Sequence, residues 1–214
     1  MNPEILSSTP SLNTGSGAAV TASESIAYST KGRLPGDLAM WIFILAELTA
    51  FSLLFIIYAV SRARNPEIFA AGQAGLDIQS GLANTMALLT SSFFVACAVA
   101  SVEKGRKGRA CIEFLAAIAM GATYVVIKLN EYSHSIALGY DITTNVFFQF
   151  YYLLTGFHFL HVILGMLILI YVTLRTYKGA YSEGNIRGME SGACYWHMVD
   201  LLWLVLFPLV YVLH

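Results

Sequence analysis

Five long apolar stretches dominate this sequence, and they leave little choice of fold. They cover residues 38–60, 82–102, 110–129, 146–174 and 192–213. Each reaches the roughly 20 residues needed to cross a hydrocarbon core about 30 Å thick. Only 12% of all residues are charged, whereas an ordinary soluble domain has about 25%. We therefore predict an all-α, polytopic membrane protein whose five transmembrane helices form one bundle within residues 35–214.

The first 34 residues have a different composition. The segment "SSTPSLNTGSGAAVTASES" is rich in Ser, Thr, Gly and Ala and has no aromatic residue. Such a segment buries too little apolar area to offset the entropy lost on ordering. We predict that residues 1–34 form a disordered tail.

The basic residues predict the orientation in the membrane. With five spans, nine of the twelve Lys and Arg residues fall on the side of the N-terminus and the second and fourth loops. Because basic residues are retained on the cytoplasmic side, we predict a cytoplasmic tail and N-terminus, with His214 outside. The net charge of −1 gives no indication of nucleic-acid binding.

Glu47 is the clearest polar residue inside a span. It lies nine residues after Leu38, which places it about 14 Å along the helix and near the bilayer midplane. A charge there costs about 2.5–3.5 kcal/mol on insertion scales. Two interpretations remain open: a protonatable group at a subunit interface or near a proton path, or a neutral acid hydrogen-bonded to a neighbouring helix.

His158 and His161 lie in the apolar segment "LLTGFHFLHVILG". Their spacing places both on one face of the fourth span, where they cannot ligate opposite sides of one haem. A metal would need three or four convergent ligands. We predict instead hydrogen bonds across helices, towards Glu47, with Gly156 and Gly165 allowing close helix approach.

The fifth span begins with a second polar group, in "ESGACYWHMVDLLWLVLFPLVY". His197 and Asp200 share a face, as do Asp200 and Trp203. Two interpretations are open for this group. His197 and Asp200 form an ion pair or hydrogen bond at the membrane–water interface, with Trp203 as an anchor, or the group contacts a neighbouring chain. In the third span, Lys128 and Glu131 are spaced to pair across one turn.

Aromatic residues lie towards the ends of the first and fifth spans, as in interfacial belts. They are Trp41, Tyr58, Trp196, Trp203 and Tyr211. The segment that follows the first span contains Pro66 and several glycines, which predict an irregular or interfacial connection. Pro208 predicts a kink near the end of the fifth helix.

Read together, five motifs resemble subunit III of the haem–copper oxidase superfamily. They are "MWIFILAELTAFSLLF", "ANTMALLTSS", "KLNEYSH", "LLTGFHFLHVILG" and "YWHMVDLLWLVLFPLVY", in that order. The resemblance covers about residues 34–214 and has the five-span form. Its "GRLPGDLAMWIF" entry and "WHMVDLLWLVLFPL" ending are most similar to the branch associated with nitric oxide reductases.

The resemblance implies that this chain has no catalytic, cofactor-binding or metal site of its own. It also implies that the chain lies in the bacterial inner membrane. It implies packing on a haem-bearing catalytic subunit, with other subunits also present, and support of that subunit's stability and proton uptake. Haem, with copper or non-haem iron, is then expected in the partner. In the seven-span form, phospholipid is held in a cleft between the first two helices and the rest. Here the predicted tail takes the place of those two helices, and bound phospholipid is a candidate ligand implied by the resemblance.

The resemblance also suggests roles for individual residues. Glu47 matches an intramembrane carboxylate known in the family for reacting with carbodiimides. Further matches to motif positions are Glu131, His158, His161, Glu190, His197, Asp200 and Trp203. Of these, Glu190 and Trp203, together with Trp41, are expected at an interface or against lipid, and the histidines are expected to be structural.

Two other functions are compatible with the residues. One is a stand-alone proton or ion carrier centred on Glu47, and the other is a small b-type cytochrome that uses His158 or His161. The absence of an internal repeat argues against the carrier.

Overall fold

The computed structural model describes residues 38–179, 181 and 186–213, and these residues are all helical or in short connections. The helices are α1 (Leu38–Arg64), α2 (Pro66–Ala74), α3 (Ile78–Glu103), α4 (Lys107–Ala137), α5 (Val146–Tyr177) and α6 (Arg187–Phe207), followed by a π-helical turn (Pro208–Val212). Five of the helices are long and apolar enough to cross a membrane. The predicted all-α membrane fold is therefore confirmed, whereas the predicted tail over residues 1–34 lies outside the described residues.

Local sequence signals set most of the helix ends. Asp77 and Asn145 cap α3 and α5, because their side chains accept hydrogen bonds from the backbone amides of Gln79 and Phe148, both at 3.0 Å. Glycines with positive φ follow the C-terminal caps of α3, α4 and α5. These glycines are Gly105, Gly139 and Gly179.

The connection after α1 contains the helix α2, so the irregular alternative is wrong, whereas the interfacial alternative stays a prediction. Pro66 occupies the start of α2, where its missing amide hydrogen costs nothing and its fixed φ favours a helix. At Pro208, where the sequence predicts a kink, the helix changes type. The α-helical pattern of α6 ends at Phe207, and a π-helical turn begins at the proline.

Helices α3 to α6 form the body of the bundle, and α1 lies at its edge. The buried side chains of α1 are Ile44, Phe51 and Tyr58, which are seven residues apart and so share one face. Phe51 packs on Phe157 of α5, with ring centroids 5.0 Å apart. The remainder of α1 is exposed or half-buried, as expected for a helix surrounded by lipid.

A tryptophan fills the space between three helices in the body. An added Cβ at Gly165 of α5 would lie 2.8 Å from the ring of Trp196, and one at Gly121 of α4 would lie 3.0 Å from it. These glycines therefore allow close approach to α6, as predicted for Gly165. The same prediction is wrong for Gly156, where an added Cβ would meet nothing within 4 Å.

Candidate functional site: two buried polar contacts

Glu47 of α1 and His161 of α5 are in contact. The distance from Glu47 Oε2 to His161 Nε2 is 3.0 Å, and His161 Nδ1 lies 2.8 Å from the carbonyl oxygen of Phe157. Because a carbonyl only accepts hydrogen bonds, Nδ1 must carry a proton. A single further proton then lies between the histidine and the carboxyl group, either on Glu47 or on Nε2. The pair has no net charge in either form.

This pair lies at the edge of the bundle. The side chain of Glu47 is 19% exposed and that of His161 is 9% exposed. The rings of Phe51 and Phe157 pack against the imidazole, at centroid distances of 5.4 and 4.6 Å. A weakly exposed pair without net charge is compatible with an apolar environment, since it avoids most of the cost of burying an ion.

His158 faces a different part of the molecule. It is fully buried, and its ring packs against Trp203 and Tyr124 at centroid distances of 5.2 and 5.9 Å. Neither ring nitrogen has a hydrogen-bond partner among the described residues. The predicted hydrogen bond across helices is therefore wrong for His158. Three residues of helix separate two side chains by about 60° around the axis, and in this bundle His161 faces α1 while His158 faces α4 and α6.

Lys128 and Glu131 of α4 form the second polar contact, deep in the bundle. Lys128 is fully buried, and its Nζ lies 3.2 Å from Glu131 Oε2. Two tyrosines complete this cluster, which we call the lysine cluster. The Tyr151 hydroxyl of α5 and the Tyr211 hydroxyl of the C-terminal turn donate to Glu131 Oε1 at 2.6 and 2.5 Å.

The ammonium group of Lys128 is also satisfied by the tyrosines. It donates to the hydroxyl oxygens of Tyr211 and Tyr151 at 2.6 and 3.2 Å. The Nζ atom further lies over four aromatic rings, at centroid distances between 4.8 and 5.7 Å. These rings belong to Tyr132, Tyr151, Trp203 and Tyr211. The cost of desolvating the ammonium is thereby offset by a carboxylate, two hydroxyls and the ring faces.

The C-terminal turn is held in place by further hydrogen bonds. Tyr58 of α1 donates to the carbonyl oxygen of Leu209 at 3.2 Å. The side-chain amide of Gln73 in α2 donates to the carbonyl oxygens of Leu209 and Val210 at 3.4 and 3.1 Å. The carbonyl groups at the C-terminal end of a helix have no partner within it, and these two side chains satisfy those of Leu209 and Val210.

On α6, His197 and Asp200 were predicted to contact each other, but no hydrogen bond or ion pair joins them in the described part of the chain. His197 Nδ1 instead lies 2.5 Å from the hydroxyl of Ser92 in α3, and Asp200 interacts with the same serine. Trp203 Nε1 donates to the Thr85 hydroxyl, also in α3, at 3.0 Å. The polar face of α6 is thus turned towards α3.

The predicted aromatic belt is wrong for four of its five residues. Tyr58, Trp196, Trp203 and Tyr211 are at most 1% exposed, so they contact neither lipid nor a partner. They are buried because their polar atoms or rings pack against neighbouring helices. Trp41 is half-buried and lines an apolar groove between α1 and α6 next to His197.

Glu190 lies in the first turn of α6 and is half-buried. Among the described residues, no three His, Cys, Asp or Glu side chains are placed to hold one metal ion. The cysteines Cys97, Cys111 and Cys194 are free thiols.

Comparisons with known proteins cover most of the chain. The family model for cytochrome c oxidase subunit III matches residues 29–214. Cytochrome c oxidase subunit 3 of Synechocystis sp. is 35% identical over 181 residues, which cover 83% of this chain and 76% of that protein.

Two other relatives extend the range of complexes. Cytochrome bo(3) ubiquinol oxidase subunit 3 of Pseudomonas aeruginosa is 29% identical, over 81% of this chain and 82% of that protein. The haem–copper oxidase subunit I+III of Aeropyrum pernix is 29% identical, over 81% of this chain and 22% of that longer protein.

Proposed function

This chain belongs to the cytochrome c oxidase subunit III family, and we propose that it is the non-catalytic membrane subunit III of a respiratory oxidoreductase complex. The observation that carries the proposal is the family match over residues 29–214. In the described part of the chain, the side chains of Glu47, Glu131 and His197 form polar contacts with neighbouring helices, as expected of a supporting subunit.

The partner in this proposal is the haem-bearing catalytic subunit, with other subunits of the complex also present. The relative from Aeropyrum pernix, named as a fusion of subunits I and III, supports a direct contact between the two. Haem, with copper or non-haem iron, resides in that partner. By packing on it, this chain supports its stability and its proton uptake.

The complex is either a cytochrome oxidase or a nitric oxide reductase. The names of the relatives favour an oxidase. The segments at the start of the first span and in the last span carry the similarity to the branch associated with nitric oxide reductases. The metal content of the complex distinguishes the two.

The topology follows from the charges at the two ends of the bundle. Lys104 and Arg106 lie between α3 and α4, and Lys107 begins α4. All three are exposed, and this end of the bundle is cytoplasmic in this proposal. The N-terminus lies on the same side, and the C-terminal turn lies outside. The membrane is the inner membrane of a bacterium.

Individual residues have distinct roles in this proposal. Glu47 is the proton-linked group, since it shares one proton with His161. Glu131, His158, His197 and Asp200 hold the helices together. Trp41 and Glu190 lie at the surface that meets lipid or the partner, whereas the burial of Trp203 removes it from that surface.

The proposal is tested by purifying the C-terminally tagged chain in mild detergent from its native membrane. The metal content and the absorption spectrum of the purified material are then measured. Haem with copper places the chain in an oxygen-reducing oxidase, and haem with non-haem iron and no copper places it with a nitric oxide reductase. A colourless protein of 23.4 kDa without a partner would contradict the proposal.

A second function, a stand-alone proton carrier, is favoured by the proton shared between Glu47 and His161. It requires proton flux through liposomes that contain this chain alone. Equal flux with the wild type and with Glu47→Gln would exclude it.

A further inference from the structure

The tyrosines of the lysine cluster belong to a group of aromatic rings that extends from the interior to the surface of the bundle. The ring of Tyr151 lies against that of Tyr211, with centroids 6.4 Å apart, and against that of Tyr152, with centroids 5.0 Å apart. Tyr151 and Tyr211 are fully buried, whereas Tyr152 is half-buried. A continuous path of phenol rings therefore connects the surface at Tyr152 with the interior at Tyr211.

The phenols on this path differ in what accepts their protons. An oxidised phenol that keeps its proton is a strongly acidic cation, so a phenol loses an electron readily only where a base can take the proton. The Tyr151 and Tyr211 hydroxyls donate to Glu131 Oε1 at 2.6 and 2.5 Å, within the reach of a general base. The Tyr152 hydroxyl donates to the carbonyl oxygen of Tyr140 at 2.7 Å, which is not a base. Oxidation is therefore favoured at the two buried tyrosines.

Lys128 stabilises the oxidised form of either tyrosine. Its Nζ donates to the hydroxyl oxygen of Tyr211 at 2.6 Å and to that of Tyr151 at 3.2 Å. These hydrogen bonds are retained when the oxygen has lost its hydrogen. Transfer of the phenolic proton neutralises Glu131, however, and leaves the buried ammonium without a counter-charge, which is costly. The site therefore requires a route by which Glu131 gives up that proton.

An open pocket of about 360 Å³ provides this route. Glu131 lines the pocket together with Asp77, Asn130 and His134. The side chains of Asp77 and His134 are exposed, so the pocket communicates with the solvent. A proton that Glu131 releases through the pocket leaves a carboxylate behind, and the ion pair with Lys128 is restored.

We propose that Tyr151 and Tyr211, which we call the tyrosine pair, take up one oxidising equivalent from a one-electron oxidant that reaches the surface near Tyr152. An organic peroxyl radical is such an oxidant: it gains one electron from the pair and one proton from the solvent to give a hydroperoxide. The O–H bond of one tyrosine breaks, its proton passes to Glu131 and then to the solvent, and a neutral phenoxyl radical remains. Without an oxidant the cluster keeps its fixed charges. This inference does not depend on the complex in which the chain serves.

The test uses the full chain purified in detergent, with a photogenerated ruthenium(III) polypyridyl complex as the oxidant. Electron paramagnetic resonance records the radical that persists after the radicals of exposed tyrosines have decayed, and a pH indicator dye records the protons released. We expect a persistent radical, because a fully buried ring cannot couple with a second radical. Its signal should narrow when the chain contains ring-deuterated tyrosine, and one proton should be released for each radical.

Two pairs of phenylalanine substitutions separate the tyrosine pair from other phenols. The double variant Tyr151→Phe with Tyr211→Phe should lose the persistent signal. The matched control is Tyr140→Phe with Tyr177→Phe, which removes two exposed phenols and should keep the signal.

Glu131→Gln tests the proton acceptor without removing a phenol. Glutamine can still accept a hydrogen bond but does not take up the proton, so formation of the radical should be slower by roughly a hundredfold, the usual contribution of a general base. If these variants do not fold, the deuterium narrowing and the proton count in the wild type still decide the question.

Four results would overturn the inference. They are the absence of a persistent tyrosine radical in the wild type, a persistent signal that survives in the double variant, formation of the radical without proton release, and equal rates in the wild type and Glu131→Gln.

Discussion

The lysine cluster and the contact between Glu47 and His161 both bring a carboxyl group into contact with another helix, but the carboxyl groups have different partners. Glu131 is paired with an ammonium that is fully buried, and both groups are held by tyrosines from two other elements. Glu47 has a single partner, His161, and is 19% exposed. The first contact fixes charges in place, whereas the second shares one proton in a pair without net charge. The lysine cluster therefore suits a permanent contact between α4, α5 and the C-terminal turn. The contact at Glu47 suits a group that can exchange a proton.

The largest effect should follow from removing the carboxyl group of the lysine cluster. Glu131→Leu leaves the ammonium of Lys128 buried without a counter-charge, which should cost about 3–5 kcal/mol of unfolding free energy. The measurement is the unfolding free energy of the purified chain in detergent, titrated with a denaturing detergent.

The double variant Lys128→Met with Glu131→Leu is the control for this prediction. It removes both charges and keeps similar volumes, so most of the lost stability should return. If the double variant is as unstable as Glu131→Leu, the tyrosine hydroxyls and not the ion pair dominate the cluster.

A smaller effect is expected from Tyr211→Phe, which removes a hydroxyl that both donates to Glu131 and accepts from Lys128. Leaving these buried groups short of one partner should cost about 1–3 kcal/mol, measured in the same detergent titration. The matched control is Tyr177→Phe, because the side chain of Tyr177 is 82% exposed. Equal stability of the two variants would mean that the contact of Tyr211 with Glu131 and Lys128 does not stabilise the fold.

The contact at α1 should be less sensitive. Glu47→Gln retains a hydrogen-bonding group, and His161 can remain neutral, so no unpaired charge is created. We expect a loss of about 1 kcal/mol or less, measured under the same conditions. A loss as large as that of Glu131→Leu would abolish the distinction between the two contacts.

The smallest effect concerns Asp77, the cap of α3, at the rim of an open pocket that Glu131 also lines. The hydrogen bond from Ser80 holds the pKa of Asp77 below its ordinary value of 3.8. Its charge therefore stabilises the fold above that ordinary value, and this contribution is lost as the pH falls through the lower pKa of the folded state. Asp77→Asn keeps the cap but not the charge. Its unfolding midpoint should approach that of the wild type as the pH falls, and a gap that widens would contradict this.

The number and type of the long helices could be predicted from the sequence because apolar length is a local property. The short helix after α1 could not, since Pro66 and nearby glycines are typical of irregular segments, although proline also favours the first position of a helix. The ends of the helices extend beyond the predicted spans, because hydropathy does not detect polar residues such as Arg64 in the last turn.

The two polar contacts could be predicted only in part. The pairing of Lys128 with Glu131 follows from spacing within one helix. Tyr211 is 80 residues away from Glu131, and no local pattern indicates that it joins them. The same limit applies to the partner of His197, which is Ser92 of α3 and not the predicted Asp200. An aromatic residue near the end of a span favours the membrane surface on sequence grounds, but burial of its ring depends on helix packing.

The most decisive experiment compares the native complex with and without this chain. Haem per catalytic subunit and the decay of activity during turnover are recorded for both preparations. A non-catalytic supporting subunit predicts equal haem content, with faster loss of activity when the chain is absent. A loss of haem in proportion to the chain removed would be incompatible with that role.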